Sequence, residues 1–345
     1  MRPGPRSKAK EADRSLLPWG MGLVAALALL ALLAPVLSPY NPDQQIDPVA
    51  GRYLPPGARR VAVHLRDGRW MLARKAERSG GNLLVERLGH ETRLPLDEIV
   101  NLSPTGVRDH RYFLLGSDQF GRDVFSRLLY GARVSLTIAL LAVALSAALG
   151  VTIGGLAALG GSWIDGFLMR AVDALLAFPR LFLLLFLAAL VPSATWIVVL
   201  VLGATGWMSV ARLFRGEILG LKGRDFVLAS RGLGLSPLRI FFRHLLPNAI
   251  TPVVVDASLR VGEIILVEAA LSFLGLGVQP PAASWGNMVA DGSTVLTSAW
   301  WLAAFPGLAI SLTVISFNLL GDGVRSRLDP RSSRSATTSS AEVLG

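Results

Sequence analysis

Long apolar stretches are the feature that most restricts how this 345-residue chain can fold. An α-helix needs about 20 consecutive apolar residues to cross the hydrocarbon core of a bilayer, and the chain contains several stretches of that length. Only 17% of the residues are charged, which is fewer than a soluble domain of this length would carry. The sequence therefore predicts an all-α membrane protein.

Six membrane-spanning helices account for these stretches. We expect them at residues 17–37, 133–158, 164–191, 195–212, 248–271 and 300–320. The first apolar run is longer than the core of a cleaved signal peptide, so a retained helix is favoured. Residues 116–133 are expected to form a separate helix in the outer interface, capped by Asp118. Pro179 is predicted to kink the third span, because proline cannot donate the helical hydrogen bond.

The positions of Lys and Arg predict how the helices are oriented. Short cytoplasmic segments of membrane proteins collect these residues, and the net charge of +10 is interpreted as this signal rather than as a nucleic-acid-binding surface. The residues concerned are Arg212, Arg215, Lys222, Arg224, Arg231, Arg239, Arg243, Arg325, Arg327, Arg331 and Arg334. We therefore expect a cytoplasmic N-terminus at residues 1–16 and a cytoplasmic tail at residues 323–345, with residues 331–341 disordered.

A long segment at residues 38–130 is expected on the outer side, because long loops are translocated whatever their charge. Within it, residues 61–65 alternate in polarity, Asp67-Gly68 suits a type I′ hairpin turn, and residues 70–74 supply a returning strand. We predict a small extracytoplasmic β-rich insertion here, and a poorly ordered insertion is the alternative. Residues 131–322 are expected to form the main transmembrane domain.

The cytoplasmic segment at residues 221–248 carries the strongest functional signal. It is predicted to form two short helices joined at Gly234, with Ser236 capping the second. An apolar stripe expected to pack on the membrane helices consists of Leu238, Phe241, Phe242 and Leu245. Pro247 is expected to end the segment, and Asn248 to begin the fifth span. A rigid segment across the ends of two membrane helices can transmit force; an ordinary amphipathic loop is the alternative.

This segment resembles the coupling loop of binding-protein-dependent ABC permeases, in which a Glu-Ala-Ala pattern is followed by Gly and by a distal Leu-Pro. The family's Glu corresponds to Leu228 in this chain, and its second Ala corresponds to Ser230. The resemblance assigns coupling to the ATPase to Ala229, Ser230, Arg231, Gly234, Leu246 and Pro247.

Residues 114–136, 267–288 and 300–331 resemble further signatures of one class in that family, the C-type permease subunits of dipeptide, oligopeptide and nickel transporters. The resemblance implies a type I ABC importer permease in the bacterial inner membrane. The implied partners are a homologous permease subunit, two ATPase subunits and an extracytoplasmic solute-binding protein. The implied cargo is a di- or oligopeptide. Nickel or another small solute is the alternative with the same architecture, and a stand-alone secondary transporter or channel is the remote one.

The chain itself is not expected to be an enzyme. Its sequence contains no G-x-x-x-x-G-K-[ST] loop to hold nucleotide phosphates. Cysteine is absent and the four His residues are scattered, so we predict no metal site and no bound cofactor. ATP would be used by the partner subunits.

Charged residues inside membrane spans are costly and need partners. The candidates for the pathway or a subunit interface are Arg170 and Asp173 on the third span, Asp256, Arg260 and Glu263 in one stripe on the fifth, and Glu268 beyond it. Arg170 and Asp173 are three residues apart and are predicted to pair. For the stripe, substrate contact and a structural ion network are both retained as interpretations.

Two further predictions concern the outer side and helix packing. Trp285 and Asn287 are expected at the outer interface, where they would belong to an outer gate, to a docking site for the binding protein, or to a rigid loop with a Trp anchor. Gly150 and Gly154 form a pair that lets helices approach closely, either within this subunit or against its sister.

Overall fold

The computed structural model describes residues 5–103, 106–191 and 194–328, and it describes side-chain surroundings from Leu17 onward. The chain divides into two compact units. The helical unit comprises Met1–Ala28, Leu136–Leu271 and Ile310–Gly345. The strand-containing unit comprises Leu29–Ser135 and Ser272–Ala309. Arg331 and Arg334, and the stretch 331–341 that is predicted to be disordered, lie outside the described residues.

Helices make up most of the described chain, which confirms the predicted helical class. They are α1 (Pro5–Leu32), α2 (Ala34–Leu37), α3 (Val124–Leu159), α4 (Gly161–Leu176), α5 (Arg180–Leu190), α6 (Thr195–Lys222), α7 (Asp225–Gly232), α8 (Pro237–Ile240), α9 (Leu246–Phe273), α10 (Trp285–Ser293) and α11 (Trp301–Leu328). Among the described residues, α3, α6 and α11 are each long and apolar enough to cross a membrane, and α4 with α5 would add a fourth span if the two are one bent span.

The helix bounds differ from several of the predicted spans. The second predicted span corresponds to α3, which begins at Val124 rather than at residue 133, so no separate interfacial helix precedes it. Asp123, not Asp118, caps this helix: its Oδ2 accepts bonds from the Ser126 N–H at 2.7 Å and from the Ser126 hydroxyl at 2.6 Å. The fourth predicted span corresponds to α6, which runs to Lys222 because its apolar side continues past residue 212 and packs on the rest of the helical unit.

Pro179 breaks the predicted third span more completely than a kink. Helices α4 and α5 are bent by 86° relative to each other across residues 177–179. Pro179 has no N–H to donate, and its ψ of 118° takes the backbone out of the helical region before Arg180 begins α5. The kink at Pro179 is therefore confirmed, while the single continuous helix at residues 164–191 is wrong.

Close contact between α3 and α6 explains the two glycines of α3. A Cβ added at Gly150 would lie 2.5 Å from Val210 Cβ, and one added at Gly154 would collide with the Ala211 carbonyl oxygen. Ser146 Oγ also donates a hydrogen bond to the Gly203 carbonyl oxygen at 2.8 Å. Of the two interpretations of this glycine pair, the structure shows packing within the subunit.

The second unit contains the strands, which form antiparallel sheets in the order β2-β1-β8, β3-β4-β5 and β6-β7. The strands are β1 (Ala58–His64), β2 (Trp70–Ala73), β3 (Lys75–Ser79), β4 (Asn82–Arg87), β5 (His90–Pro95), β6 (Leu102–Ser103), β7 (Gly106–Val107) and β8 (His110–Phe113). Two clusters of buried apolar side chains hold the sheets together, one around Val63, Leu83 and Val85 and one around Leu72 and Phe113.

The hairpin between β1 and β2 has a different turn from the predicted type I′ turn. Leu65 N–H donates to the Arg69 carbonyl oxygen at 2.9 Å, and Gly68 N–H donates to the Leu65 carbonyl oxygen at 3.0 Å. Gly68 has a φ of +85°. A three-residue loop with one glycine in the left-handed region satisfies these bonds, whereas a type I′ turn would need positive φ at Asp67 as well.

Candidate functional site

The segment after α6, which the sequence predicts to be cytoplasmic, consists of two short helices, as predicted. Helix α7 ends at Gly232, and Gly234 has a φ of +76°, a conformation that glycine adopts without steric cost. Three backbone hydrogen bonds close the turn: the N–H groups of residues 233, 234 and 235 donate to the carbonyl oxygens of residues 229, 231 and 230, respectively. Ser236 then caps α8 by accepting a bond from Arg239 N–H at 3.4 Å. The joint at Gly234 and the Ser236 cap are both confirmed.

An apolar cluster holds this segment on the membrane helices. Val227 of α7 and Ile240 of α8 are almost fully buried. They pack with side chains of three longer helices: Ala158 of α3, Phe214 and Ile218 of α6, and Ala249 and Val253 of α9. Because these side chains share one cluster, a displacement of the segment acts on α3, α6 and α9 together.

The buried face of the segment is not the predicted one. Phe241 and Leu245 are buried, but Leu238 and Phe242 are 66% and 63% exposed. The buried side chains of this stretch are Ile240, Phe241 and Leu245, and a π-helical turn spans Phe241–Leu245. Phe226, Leu228 and Leu233 are exposed as well, and the segment thus presents five large apolar side chains to its surroundings.

Helical backbone continues without interruption from α8 into α9, in contrast to the predicted boundary at Pro247. Leu246 N–H donates to the Phe241 carbonyl oxygen, which is the bond of a π turn, and Pro247 lies in the first turn of α9. Asn248 does not cap a helix; its Nδ2 donates to the His244 carbonyl oxygen at 2.6 Å. Pro247 has no N–H to donate to the helical ladder and lies directly after the π turn, so the bonding pattern changes at this point while the helical backbone continues.

The residues assigned to coupling differ in accessibility. Ala229, Arg231, Gly234 and Pro247 are exposed, Leu246 is half-buried, and Ser230 is buried, with its hydroxyl donating to the Phe226 carbonyl oxygen at 2.7 Å. Arg224, Arg239 and Arg243 are also exposed on this segment. The accessible surface is therefore apolar and positively charged.

The predicted pairing of Arg170 with Asp173 is wrong. Asp173 forms its ion pair with Arg212 of α6, and Asp165 of α4 forms a bidentate pair with Arg215 at 2.5 and 2.6 Å. Two carboxylates of α4 thus bind two guanidinium groups of α6. From the sequence, Arg212 and Arg215 are predicted only to mark the cytoplasmic side. Matching the acidic residues of one span against the arginines that begin the next cytoplasmic segment would have suggested these pairs.

The charged stripe on α9 consists of ion pairs within the helical unit. Arg260 pairs with Asp256 four residues earlier and donates to Ser209 Oγ of α6 at 2.9 Å. Glu263 pairs with Arg180 at the start of α5. Glu268 is 1% exposed. The stripe therefore ties α9 to α5 and α6, and Arg180 is a partner that the sequence does not predict.

Trp285 and Asn287 are buried within the chain. The Trp285 indole N–H donates to the Leu128 carbonyl oxygen at 3.0 Å, and the Trp285 backbone N–H donates to Ser135 Oγ at 3.2 Å. Asn287 forms a capping box with Ser284 at the start of α10 and donates to the Ala282 carbonyl oxygen at 2.8 Å. In this conformation both side chains position α10 instead of forming an exposed docking surface.

Known proteins similar to this chain are permease components of transport systems. Residues 150–334 match the family described as binding-protein-dependent transport system inner membrane component, and residues 18–56 match the N-terminal TM domain of oligopeptide transport permease C. A putative peptide permease protein of Brucella ovis is 47% identical over 218 residues, covering 63% of this chain and 72% of that protein. The dipeptide transport system permease protein DppC of Bacillus subtilis is 41% identical over 232 residues, covering 67% of this chain and 71% of that protein.

Among solved structures, the inward-facing MetNI methionine ABC transporter has a TM-score of 0.48 and 19% sequence identity, covering 59% of this chain and 96% of that one. The family matches confirm the resemblance that the sequence signatures indicate. The chain is a multi-pass membrane protein that belongs to the family of binding-protein-dependent transport system inner membrane components.

Proposed function

We propose that this chain is the permease subunit of an ATP-driven importer of di- or oligopeptides. The peptide cargo is supported by the names of the similar proteins, which are a putative peptide permease and a dipeptide permease. The ATP-driven mechanism is supported by the cytoplasmic segment, which has an apolar and positively charged surface and sits on three membrane helices at once.

The segment at residues 224–247 is the proposed coupling element. Its buried side, with Val227, Ile240 and Phe241, belongs to the membrane domain. Its accessible side offers Leu228 and Leu233 to an ATPase subunit, together with the exposed members of the predicted coupling set, which are Ala229, Arg231, Gly234 and Pro247. When the two ATPase subunits close on ATP, this side is displaced, and the shared apolar cluster passes the displacement to α3, α6 and α9. This seating of the segment is the single observation that carries the proposal.

The proposed topology has six spans, formed by α1, α3, the bent pair α4 and α5, α6, α9 and α11. Helix α9 carries four charged residues, and its spanning position is supported by the partners that three of them find on α5, α6 and α9 itself. Both chain termini are placed in the cytoplasm, the strands on the outer side, and the protein in the bacterial inner membrane. A homologous permease subunit and a solute-binding protein complete the proposed complex.

Reconstitution with and without the ATPase subunits tests this function. We expect peptide accumulation in proteoliposomes only when the sister permease, both ATPase subunits, ATP and the binding protein are present. Leu233→Glu should abolish uptake and reduce co-purification of the ATPases, because a charge replaces an 81% exposed apolar contact. Leu88→Glu, on a 60% exposed leucine of the strand-containing unit, is the matched control and should transport normally. Accumulation without ATPase subunits would refute the proposal.

A further inference from the structure

The helical unit contains a cavity of about 430 Å³ bounded by α6, α9 and α11. Its wall is mainly apolar and includes Leu213, Pro252, Val255 and Leu259. Two charged side chains of opposite sign also line it, Asp256 of α9 and Arg325 of α11. A cavity of a few hundred Å³ with apolar walls and a small number of polar groups is typical of a site for a small organic molecule.

Packing between α9 and α11 places the two charges at about the same level. A Cβ added at Gly262 would lie 3.3 Å from Val314 Cα, and one added at Gly321 would lie 2.6 Å from Leu259 Cδ2, so the helices run antiparallel in close contact. Moving one turn, or about four residues, from Gly321 towards the chain end reaches Arg325. The same step back along α9 from Leu259 reaches Val255, next to Asp256.

Both charged groups retain capacity for a ligand. Asp256 accepts a bond from Arg260 through one oxygen, and a carboxylate has about four lone-pair sites. Arg260 is also held by Ser209 of α6, so the pair is anchored on the side of α6. Arg325 has no ion pair with any other residue in the described part of the chain, and its side chain is exposed. Its guanidinium group can therefore take a planar anion such as a carboxylate.

We propose that this cavity binds the main chain of a short peptide, with Arg325 on the α-carboxylate and Asp256 on the α-ammonium group. The inference rests on the proposed function, since it deepens the assignment of peptide cargo. Opposite charges at one level match the two ends of a di- or tripeptide zwitterion, and the apolar wall accepts varied side chains without selecting among them. A zwitterionic lipid headgroup carries the same two charges, so the experiment has to distinguish binding of peptide from binding of lipid.

Direct binding to the assembled complex tests the site. The probe is radiolabelled alanyl-alanine, and the full complex is held without binding protein in nanodiscs made only of phosphatidylglycerol. Arg325→Gln should weaken binding by about 10- to 100-fold, the loss expected for a hydrogen bond between charged groups. Arg325→Lys should restore part of the affinity, because lysine keeps the positive charge but not the planar pair of donors. Leu259→Trp should weaken binding by filling the cavity, and the C-terminal amide of alanyl-alanine should bind the wild type as weakly as alanyl-alanine binds Arg325→Gln.

The matched control is Arg327→Gln, a change in the same last turn of α11 at a residue that does not line the cavity. It should bind the probe like the wild type. Retained assembly with the ATPases shows that each variant is folded, and Arg325→Gln keeps the test decisive if the bulkier Leu259→Trp fails to assemble. Unchanged affinity in Arg325→Gln overturns the inference, and so does displacement of the probe by phosphatidylethanolamine. If the complex imports a solute other than peptides, the proposed function fails and the inference fails with it; if it imports peptides but the variants bind normally, only the inference fails.

Discussion

Two glycines in the proposed coupling element provide a pair of substitutions with opposite expected effects. Gly232 ends helix α7, and Gly234 has a φ of +76° in the turn that follows. A Cβ added at either position would meet no other atom within 4 Å. Replacement of each by alanine therefore changes backbone conformational preference without creating a steric clash.

The magnitudes follow from the backbone at each site. Alanine at Gly234 must adopt the left-handed conformation, which costs about 1–2 kcal/mol. Alanine at Gly232 replaces glycine in a helix and should stabilise the segment by roughly 0.5–1 kcal/mol. A penalty of 1–2 kcal/mol corresponds to a factor of about 5–30 in the equilibrium between the formed and the opened turn.

Coupling efficiency is the appropriate assay. We expect Gly234→Ala to lower peptide uptake and binding-protein-stimulated ATP hydrolysis, with basal hydrolysis and membrane insertion preserved. Gly234→Pro should abolish uptake while leaving insertion intact. Gly232→Ala should transport at the wild-type rate or faster. Normal coupling in Gly234→Ala, or an equal loss in both alanine variants, would refute the argument that this turn has to be held in its observed form.

Two further predictions concern ion pairs in the two units. Glu263→Gln leaves Arg180 without its ion-pair partner inside a proposed membrane span and should destabilise the complex by roughly 2–3 kcal/mol. The double variant with Arg180→Gln should recover most of that loss, and thermal denaturation measures both effects. In the strand-containing unit, burial raises the pKa of Asp47, but hydrogen bonds from Arg87 and from backbone N–H groups outweigh burial and hold that pKa below its usual 3.8. This stabilisation is present above about pH 4 and is lost as the pH falls through the lowered pKa. Arg87→Gln should weaken this acid sensitivity, which tryptophan fluorescence between pH 5 and pH 2 can follow. An unchanged profile would contradict the assignment.

Local chemistry made several features predictable from the sequence. The turn at Gly234 and the cap at Ser236 depend on residues within four positions of each other, and the break at Pro179 depends on one residue type. The family signatures likewise consist of contiguous residues. Each of these features is determined by the chain segment that displays it, so it can be predicted without knowledge of the packing.

The errors concern features that depend on rotation about a helix axis or on distant partners. Leu238 and Phe242 lie on the exposed side, whereas Ile240 is buried, and the segment contains a π turn that no residue signals unambiguously. Asp173 had an arginine available three residues away, yet it pairs with Arg212 across a helix interface. Local spacing identifies candidate partners, but the packing of α4 on α6 decides which one is used.

The uninterrupted helical backbone from Pro237 through Phe273 has a thermodynamic consequence. Asp256 lies 19 residues beyond Pro237 on this backbone, or roughly 30 Å at 1.5 Å per residue. Under the proposed function and the proposed cavity site, nucleotide in the partner ATPase and solute in the cavity act on the same continuous helical backbone, and reciprocity requires each to change the binding free energy of the other by the same amount. Solute supplied from the inner side should therefore alter nucleotide affinity even when the solute-binding protein is absent.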